Sequence, residues 1–179
     1  MVDSPGQNRR HAHSNGAPVV VLSVNNCWNL VNFRGALLPA LQHAGYRIVA
    51  FAPLDSHAEE LRRRGVEIQP IPIARSGMNP LTDARLLVRY VRALRALRPA
   101  AYCGFTIKPN VYGAIAARLT GVPAINNVTG LATPYLSEGV VWALAERLYR
   151  FAFKRSHTVF FHNREDLDIM VARRVIRPE

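Results

Sequence analysis

Residues 106–110 carry the residue types best suited to bind an anion. Their sequence, Thr-Ile-Lys-Pro-Asn, places the ammonium group of Lys108 between the polar side chains of Thr106 and Asn110, where a helix is expected to begin. Free backbone N–H groups and the helix dipole favour negative charge at such a position. Lys108 is therefore predicted either to hold a diphosphate or to be a solvated lysine beside a helix cap. The spacing alone leaves both interpretations open.

Asparagine is concentrated in one kind of segment. Of the 11 asparagines, nine lie in or beside the segments that join a predicted strand to the next helix: Asn25, Asn26, Asn29, Asn32, Asn79, Asn110, Asn126, Asn127 and Asn163. In an open parallel sheet, ligands bind at this edge, beyond the carboxyl ends of the strands. An amide both donates and accepts hydrogen bonds, which suits a polyhydroxylated ligand. Asparagine is also a good helix N-cap, so the pattern has a structural explanation as well.

Few residues are candidates for catalysis. No Ser/His/Asp set or close pair of carboxylates stands out, and His162, after the last predicted strand, is a weak candidate for proton transfer. Residues 126–131 (Asn-Asn-Val-Thr-Gly-Leu) end another predicted strand, where Gly130 lets a ligand approach the backbone. No Gly-x-Gly-x-x-Gly follows the first strand and there is no Walker-type loop. This pattern argues against ordinary dinucleotide and P-loop sites.

The elements that must position these residues follow from apolar periodicity. Short apolar runs, typical of strands in a parallel sheet, are found at residues 19–24, 46–53, 66–73, 100–105, 122–128 and 157–161. Pro70 and Pro72 place the third strand near a sheet edge. Helical patterns lie between the runs, which predicts an α/β fold: a Rossmann-like, doubly wound parallel sheet with helices on both faces.

The helix boundaries are predicted from capping residues. A helix is expected at residues 33–44 with a kink at Pro39. Ser56 and Glu59 form a capping-box pattern for a helix that stops at Gly65. Further helices are expected to start at Asn79 and Asn163 and to span residues 110–119 and 138–154.

Length and composition indicate one globular domain. The chain has 179 residues, and 49% of them are hydrophobic, which is enough for one core. Residues 1–17 are polar and aperiodic, so we expect a disordered tail followed by one domain over 18–179. Cys27 and Cys103 have no metal-ligand spacing, so neither a disulfide scaffold nor a metal site is expected. No run approaches the ~18 apolar residues of a membrane span.

The chain is strongly basic. It has 23 Lys and Arg residues against 12 Asp and Glu, which gives a formal net charge of +11. Such a surface attracts nucleic acid, anionic lipid or a phosphorylated ligand, and charge alone does not choose between them. Arg85, Arg89 and Arg92 share one face of a predicted helix, which fits either a solvated face or a lipid-binding one. The arginines are spread over nearly every helix, so a nucleic-acid-binding domain is ranked last.

Several motifs together resemble the N-terminal domain of glycosyltransferase family 4 enzymes. The closest similarity is to bacterial enzymes that build O-antigen, capsule or N-glycan precursors on a polyprenyl diphosphate. The resemblance covers most of residues 19–179, and its central nine-residue string is specific. In chain order the motifs are residues 32–35 (Asn-Phe-Arg-Gly), 105–113 (Phe-Thr-Ile-Lys-Pro-Asn-Val-Tyr-Gly), 126–131, 148–150 (Leu-Tyr-Arg) and 160–163 (Phe-Phe-His-Asn) with Asp166.

The resemblance implies half of a GT-B architecture, in which two Rossmann-like domains enclose a cleft. In that architecture the N-terminal domain mostly receives the acceptor and the C-terminal domain binds the nucleotide sugar, and the resemblance implies that this chain contains only the first. The implied activity is that of a retaining, metal-independent hexosyltransferase without a cofactor, acting on a polyprenyl-diphosphate-linked saccharide. Its implied location is the cytoplasmic face of the plasma membrane, held peripherally at the anionic surface.

The resemblance also implies a set of site residues. Donor and acceptor sugars would meet above Asn25, Asn26 and Thr106, Lys108 would face a phosphate, and Trp28, Leu30 and Phe33 would lie near the lipid. The full substrate-binding set that we predict is Asn25, Asn26, Asn32, Arg34, Thr106, Lys108, Asn110, Asn127, Thr129, Gly130 and Asn163.

The sequence departs from the family pattern at several positions. Asn25 and Asn26 stand where many relatives carry glycines, Ala132 where another glycine is common, and His162 where glutamine is common. Two alternatives to a working transferase half also remain. The chain would be a non-catalytic module that pairs with a separately encoded donor domain, or an inactive truncated gene product.

Overall fold

The computed structural model describes residues 16–74, 79–131 and 140–177 of the chain. Six parallel strands form one sheet in the order β3-β2-β1-β4-β5-β6. This arrangement confirms the predicted Rossmann-like α/β fold. The strands are β1 (Val19–Ser23), β2 (Arg47–Ala52), β3 (Glu67–Pro70), β4 (Ala101–Gly104), β5 (Ala124–Val128) and β6 (Thr158–Phe161).

Helices connect each strand to the next. They are α1 (Cys27–Phe33), α2 (Leu37–His43), α3 (Ala58–Arg63), α4 (Pro80–Leu97), α5 (Ala114–Thr120), α6 (Val140–Phe153) and α7 (Arg164–Ala172). No helix within the described ranges is long and apolar enough to cross a membrane. The predicted tail at residues 1–17 lies outside the described residues, apart from Gly16 and Ala17.

Strand β1 lies in the centre of the sheet, and all five of its residues are buried. Successive side chains of a strand point to opposite faces. Val19 and Val21 therefore pack into one core with α4, α5 and α6, while Val20 and Leu22 pack into a second core with α1, α2 and α3. The two cores confirm the prediction that the first strand is buried on both faces.

The prediction of a single helix at residues 33–44, kinked at Pro39, is wrong. The side chain of Asn26 caps α1, which starts at Cys27 and ends at Phe33. A new helix, α2, begins at Leu37, so that Pro39 lies in its first turn. A proline there costs little, because the first N–H groups of a helix have no intrahelical acceptor. The break between α1 and α2 replaces the expected kink.

The predicted capping box of Ser56 and Glu59 is also wrong. Helix α3 starts after His57, and no side chain caps it. Asp55 orders this segment instead, since its Oδ1 accepts a hydrogen bond from the His57 N–H at 2.9 Å and its Oδ2 accepts one from the Cys27 N–H at 2.8 Å. Asp55 thus ties the loop after β2 to the start of α1.

The predicted caps of α4 and α7 are confirmed. The Asn79 side chain accepts from the backbone N–H groups of Leu81 and Thr82, and the Asn163 side chain accepts from the N–H of Asp166. The helix expected at 110–119 instead opens with a π-helical turn, Pro109–Gly113, that leads directly into α5. The Tyr102 hydroxyl, buried under this turn, donates to the Pro109 carbonyl at 2.9 Å.

Candidate functional site

The sheet has a topological switch point between β1 and β4. From β1 the chain continues to β2 on one side and returns to β4 on the other. In doubly wound sheets a crevice opens at such a point, beyond the carboxyl ends of the two strands. Asn25 and Asn26 follow β1 here, and Phe105 and Thr106 follow β4. The fold therefore brings two of the predicted binding segments to one edge.

The asparagines after β1 bond to each other and to the backbone. Asn26 Oδ1 accepts from the Asn29 N–H at 2.8 Å, and Asn26 Nδ2 donates to Asn25 Oδ1 at 3.1 Å. Asn29 Oδ1 is a buried atom with no hydrogen-bond partner among the described residues. The capping role of Asn26 accounts for part of the asparagine enrichment, and Asn29 leaves an acceptor unused.

Arg34 bridges the elements around the crevice. It lies in the break between α1 and α2, with its guanidinium carbon 4.8 Å from the centre of the Phe105 ring. One terminal nitrogen lies 3.4 Å from His162 Nε2, after β6. Burial lowers the pKa of Arg34, and its Nε is buried with no partner in the part of the chain that the structure describes. Its Nη1 donates to the Phe33 carbonyl at 2.8 Å. Within these same residues no carboxylate pairs with Arg34, so its charge is not neutralised there.

Lys108 is not the solvated lysine that was one of its two predicted roles. Its Nζ lies 2.6 Å from Asp83 Oδ1, and the Lys108 and Asp83 side chains are only 12% and 5% exposed. The Tyr112 hydroxyl donates to Asp83 Oδ2 at 3.0 Å. Burial and the adjacent Asp83 carboxylate raise the pKa of Tyr112. A phosphate that bound Lys108 would have to compete with Asp83.

The side chain of Asn110 has a structural role and is not free to bind a ligand. It is 2% exposed, its Nδ2 donates to the Asn127 carbonyl at 2.8 Å, and its Oδ1 accepts from Asn126 Nδ2 at 3.0 Å. Asn126 is completely buried, and its Oδ1 accepts from the Ser156 hydroxyl at 2.8 Å. Asn110 is thus committed to a network that joins the π-helical turn to β5.

The ends of β4 and β5 carry polar atoms without partners. Thr106 Oγ1 and Asn127 Oδ1 are both buried and lack a hydrogen-bond partner in residues 16–74, 79–131 and 140–177. Thr129 is exposed, and its hydroxyl donates to the Phe105 carbonyl at 3.1 Å. Gly130 has a φ of 137°, a value that favours glycine. Since buried polar groups are normally paired, the atoms of Thr106 and Asn127 mark places for a ligand or water.

The other predicted site residues differ in their accessibility. Asn32 is exposed, and its Nδ2 donates to the Trp28 carbonyl at 3.0 Å. Asn163 is occupied as the cap of α7 and also donates from Nδ2 to Asp166 Oδ2 at 2.9 Å. Leu30 is completely buried, so its expected position near the lipid is wrong. Among the described residues, no group of three or more His, Cys, Asp or Glu side chains could hold a metal ion.

Comparison with known families identifies the fold's relatives. The sequence model of the glycosyl transferase 4-like domain matches residues 31–179, most of the chain. The chain belongs to this family. No match was found among curated proteins.

Solved structures share the fold of this glycosyl transferase 4-like domain at low sequence identity. MurG from Acinetobacter baumannii is 19% identical with a TM-score of 0.58, over 82% of this chain and 42% of MurG. HepE from Anabaena, in complex with UDP and glucose, is 12% identical with a TM-score of 0.55, over 79% of this chain and 37% of HepE. A putative UDP-N-acetylglucosamine 2-epimerase from Listeria monocytogenes is 12% identical with a TM-score of 0.61, over 87% and 42%.

These likenesses establish the fold of the glycosyl transferase 4-like domain and not its reaction, because a glycosyltransferase from Rickettsia africae and a putative epimerase share it. The domain spans less than half the length of each of the three structures.

Sequence reasoning missed two residues of the glycosyl transferase 4-like domain that lie at the carboxyl edge of its sheet. Asp83 was not singled out, because an acidic residue in the first turn of a helix is ordinary. Phe105, which lies under the Arg34 guanidinium, was assigned only to the resemblance motif and the end of a strand. Neither contact has a local sequence signal, since Asp83 and Lys108 are 25 residues apart and Arg34 is far from Phe105 along the chain.

Proposed function

We propose that this domain is the acceptor-binding half of a retaining glycosyltransferase. The enzyme transfers a sugar from a nucleotide sugar to a lipid-linked saccharide in bacterial surface polysaccharide or glycan synthesis. Membership of the glycosyl transferase 4-like family supports the transferase chemistry. The observation that carries the proposal is the Arg34 guanidinium beside the switch-point crevice, with no carboxylate partner in the described residues.

The groups at this edge suit a diphosphate attached to a sugar. A guanidinium binds phosphate oxygens through two parallel N–H donors. Arg34 supplies that cation, whereas Lys108 already pairs with Asp83. The unpaired oxygens of Thr106 and Asn127 lie at the ends of neighbouring strands and suit the hydroxyl groups of a saccharide. We therefore propose that Arg34, in preference to Lys108, binds the phosphate of the acceptor.

In this proposal the nucleotide-sugar donor binds to a second domain. The similar structures are more than twice as long as the part that matches, and one of them was solved with UDP and glucose. A nucleotide-sugar donor is consistent with that complex. In a transfer assay with a nucleotide sugar and a polyprenyl-diphosphate-linked saccharide, we expect no turnover by the 179-residue chain alone. Turnover without a partner would contradict the requirement for a second domain.

The lipid-linked acceptor implies contact with a membrane, at its cytoplasmic face. Five arginines on or just after α4 are exposed, and their side chains have no ion pair or hydrogen-bond partner within the described residues: Arg85, Arg89, Arg92, Arg95 and Arg98. A basic residue near an anionic membrane contributes about 1 kcal/mol to binding. Arg85, Arg89 and Arg92 share one face of α4, and we propose that this face holds the domain at the bilayer.

A binding experiment tests the assignment of Arg34. Calorimetry with farnesyl diphosphate, a short polyprenyl diphosphate, should show binding that Arg34→Ala weakens at least about tenfold, the scale of one lost charge-assisted hydrogen bond. Arg89→Ala is the matched control, because it removes an exposed arginine elsewhere on the domain. Equal affinities for the two variants would overturn the role of Arg34.

A further inference from the structure

Helix α1 carries two exposed aromatic side chains in contact with each other. Trp28 and Phe33 are 43% and 57% exposed. Their ring centres are 5.1 Å apart and the ring planes make an angle of 88°, an edge-to-face pair. Such a pair holds both rings in place, so that a ligand meets a surface that is already ordered. Two adjacent exposed aromatic rings on one short helix form a contact surface that the fold itself does not use.

The neighbours of this pair are amides and a cation. Asn32 lies between the two aromatic residues in sequence and is exposed, and its Nδ2 is bonded to the Trp28 carbonyl. Asn29 Oδ1 is buried and unpaired among the described residues. Arg34 follows Phe33 directly. Of the two aliphatic residues of this segment, Leu30 is completely buried and Val31 is partly buried against the same core.

This composition distinguishes a sugar from a lipid chain. In hydrocarbon, the exposed amide group of Asn32 would lose its hydrogen bonds to water without replacement, which is costly. A sugar ring offers hydroxyl groups to the Asn32 amide and a C–H face to the aromatic rings, whose π-faces are negative. The observed mixture of aromatic and amide groups therefore suits a saccharide.

We propose that Trp28 and Phe33 form a stacking surface for a sugar ring of the acceptor. This inference rests on the proposed function, because Arg34 is assigned there to the diphosphate. It specifies that the saccharide next to the diphosphate is recognised by α1, and that these two aromatic residues contact sugar in place of the lipid chain expected from the resemblance.

Tryptophan fluorescence can test the contact in the isolated protein. The chain has two tryptophans, so Trp142→Phe leaves Trp28 as the sole reporter. The probes are the methyl glycosides of glucose, galactose and N-acetylglucosamine. We expect at least one glycoside to change the Trp28 emission saturably. Phe33→Ala should weaken that binding roughly threefold to tenfold, as one aromatic contact contributes. Phe151→Ala, which removes a 50% exposed phenylalanine on α6, is the control and should have no effect.

Two results would overturn the stacking surface. One is the absence of any change with all three glycosides, and the other is quenching of Trp28 by vesicles of brominated phosphatidylglycerol, which would place the ring in lipid. The outcome is separable from the proposed function. Farnesyl diphosphate lacks a sugar, so its Arg34-dependent binding should be unchanged in Phe33→Ala. Loss of diphosphate binding with intact glycoside binding would instead disprove the anion site alone.

Discussion

Lys108 and Asp83 form an ion pair that is nearly shielded from water, with 2.6 Å between Nζ and Oδ1. The pair joins the segment after β4 to the first turn of α4, and Tyr112 donates to the second oxygen of the same carboxylate. The residue with the strongest anion-binding pattern in the sequence is thus part of the internal structure of the domain.

Removal of one partner from this pair should destabilise the fold. Lys108→Met leaves Asp83 buried without its cation, and breaking such a pair typically costs about 3–5 kcal/mol in the free energy of unfolding. Urea denaturation measures the loss. Glu67→Gln is the control, since the Arg47–Glu67 pair is 32% and 48% exposed and should contribute less than about 1 kcal/mol. A similar small loss for both variants would show that Lys108 is effectively solvated.

The buried Asn126 should be intolerant of truncation. Asn126→Ala removes the donor to Asn110 Oδ1 and the acceptor of the Ser156 hydroxyl. Each buried group left unpaired costs about 1–3 kcal/mol. We expect a correspondingly lower denaturation midpoint, whereas Asn32→Ala, at an exposed site, should change it little. An Asn126→Ala protein as stable as the wild type would contradict the network.

Gly113 should not accept a side chain. A Cβ at this position would lie far inside van der Waals contact with the buried Tyr102 hydroxyl and ring. Gly113→Ala should therefore lower the thermal midpoint strongly or prevent folding, because a rigid, packed aromatic ring cannot move aside cheaply. Gly35→Ala meets its nearest atoms at 3.5 and 3.7 Å and serves as the tolerated control. Equal stability of the two variants would mean that the π-helical turn repacks.

Membrane association should depend on the arginines of α4 more than on the net charge of the domain. Flotation should recover the domain with phosphatidylglycerol vesicles but not with phosphatidylcholine vesicles, and salt should release it. Replacing Arg85, Arg89 and Arg92 by alanine should weaken binding at least roughly tenfold. The same change at Arg62, Arg63 and Arg64, at the end of α3 and just after it, removes equal charge from residues that are paired with glutamates. Equal losses would show that the attraction is not specific to α4.

Both cysteines should be poorly reactive in the folded domain. Burial is the main cause that raises the pKa of the Cys27 and Cys103 thiols from 9.0 to about 11, and the Asp55 carboxylate adds to it for Cys27. The folded state then holds these protons more tightly than the unfolded state, so stability decreases as pH rises from about 9 to 11. Alkylation by iodoacetamide at pH 8 should be slow until urea unfolds the chain. Rapid alkylation of the native protein would contradict this burial.

The fold could be predicted because its signals are local. Apolar runs such as Val19–Ser23 mark strands that are buried on both faces, and Asn79 and Asn163 are helix caps whose partners lie two or three residues away. The errors arose where a distant residue competes with the local pattern. Asp55 takes the N–H groups of His57 and Cys27 and replaces the capping box of Ser56.

The site was harder to predict for the same reason. Sequence reasoning selected polar residues near strand ends, and Thr106 and Asn127 do lie beside the carboxyl ends of β4 and β5 in the structure. It could not distinguish a polar group that is free from one that is already bonded. Lys108 and Asn110 are adjacent to Pro109, yet their partners come from α4 and β5.

The proline at the end of β3 has a consequence for contacts between copies of the protein. Strand β3 is an edge strand, and Ile71 directs its N–H inward to the Ala52 carbonyl at 3.0 Å. In a parallel ladder the adjacent positions face outward, and here these are Pro70 and Pro72, which have no N–H. An approaching strand finds carbonyl groups and the cations of Arg89 and Arg92 along the same groove. This end of the edge strand is therefore protected against the strand addition that leads to aggregation.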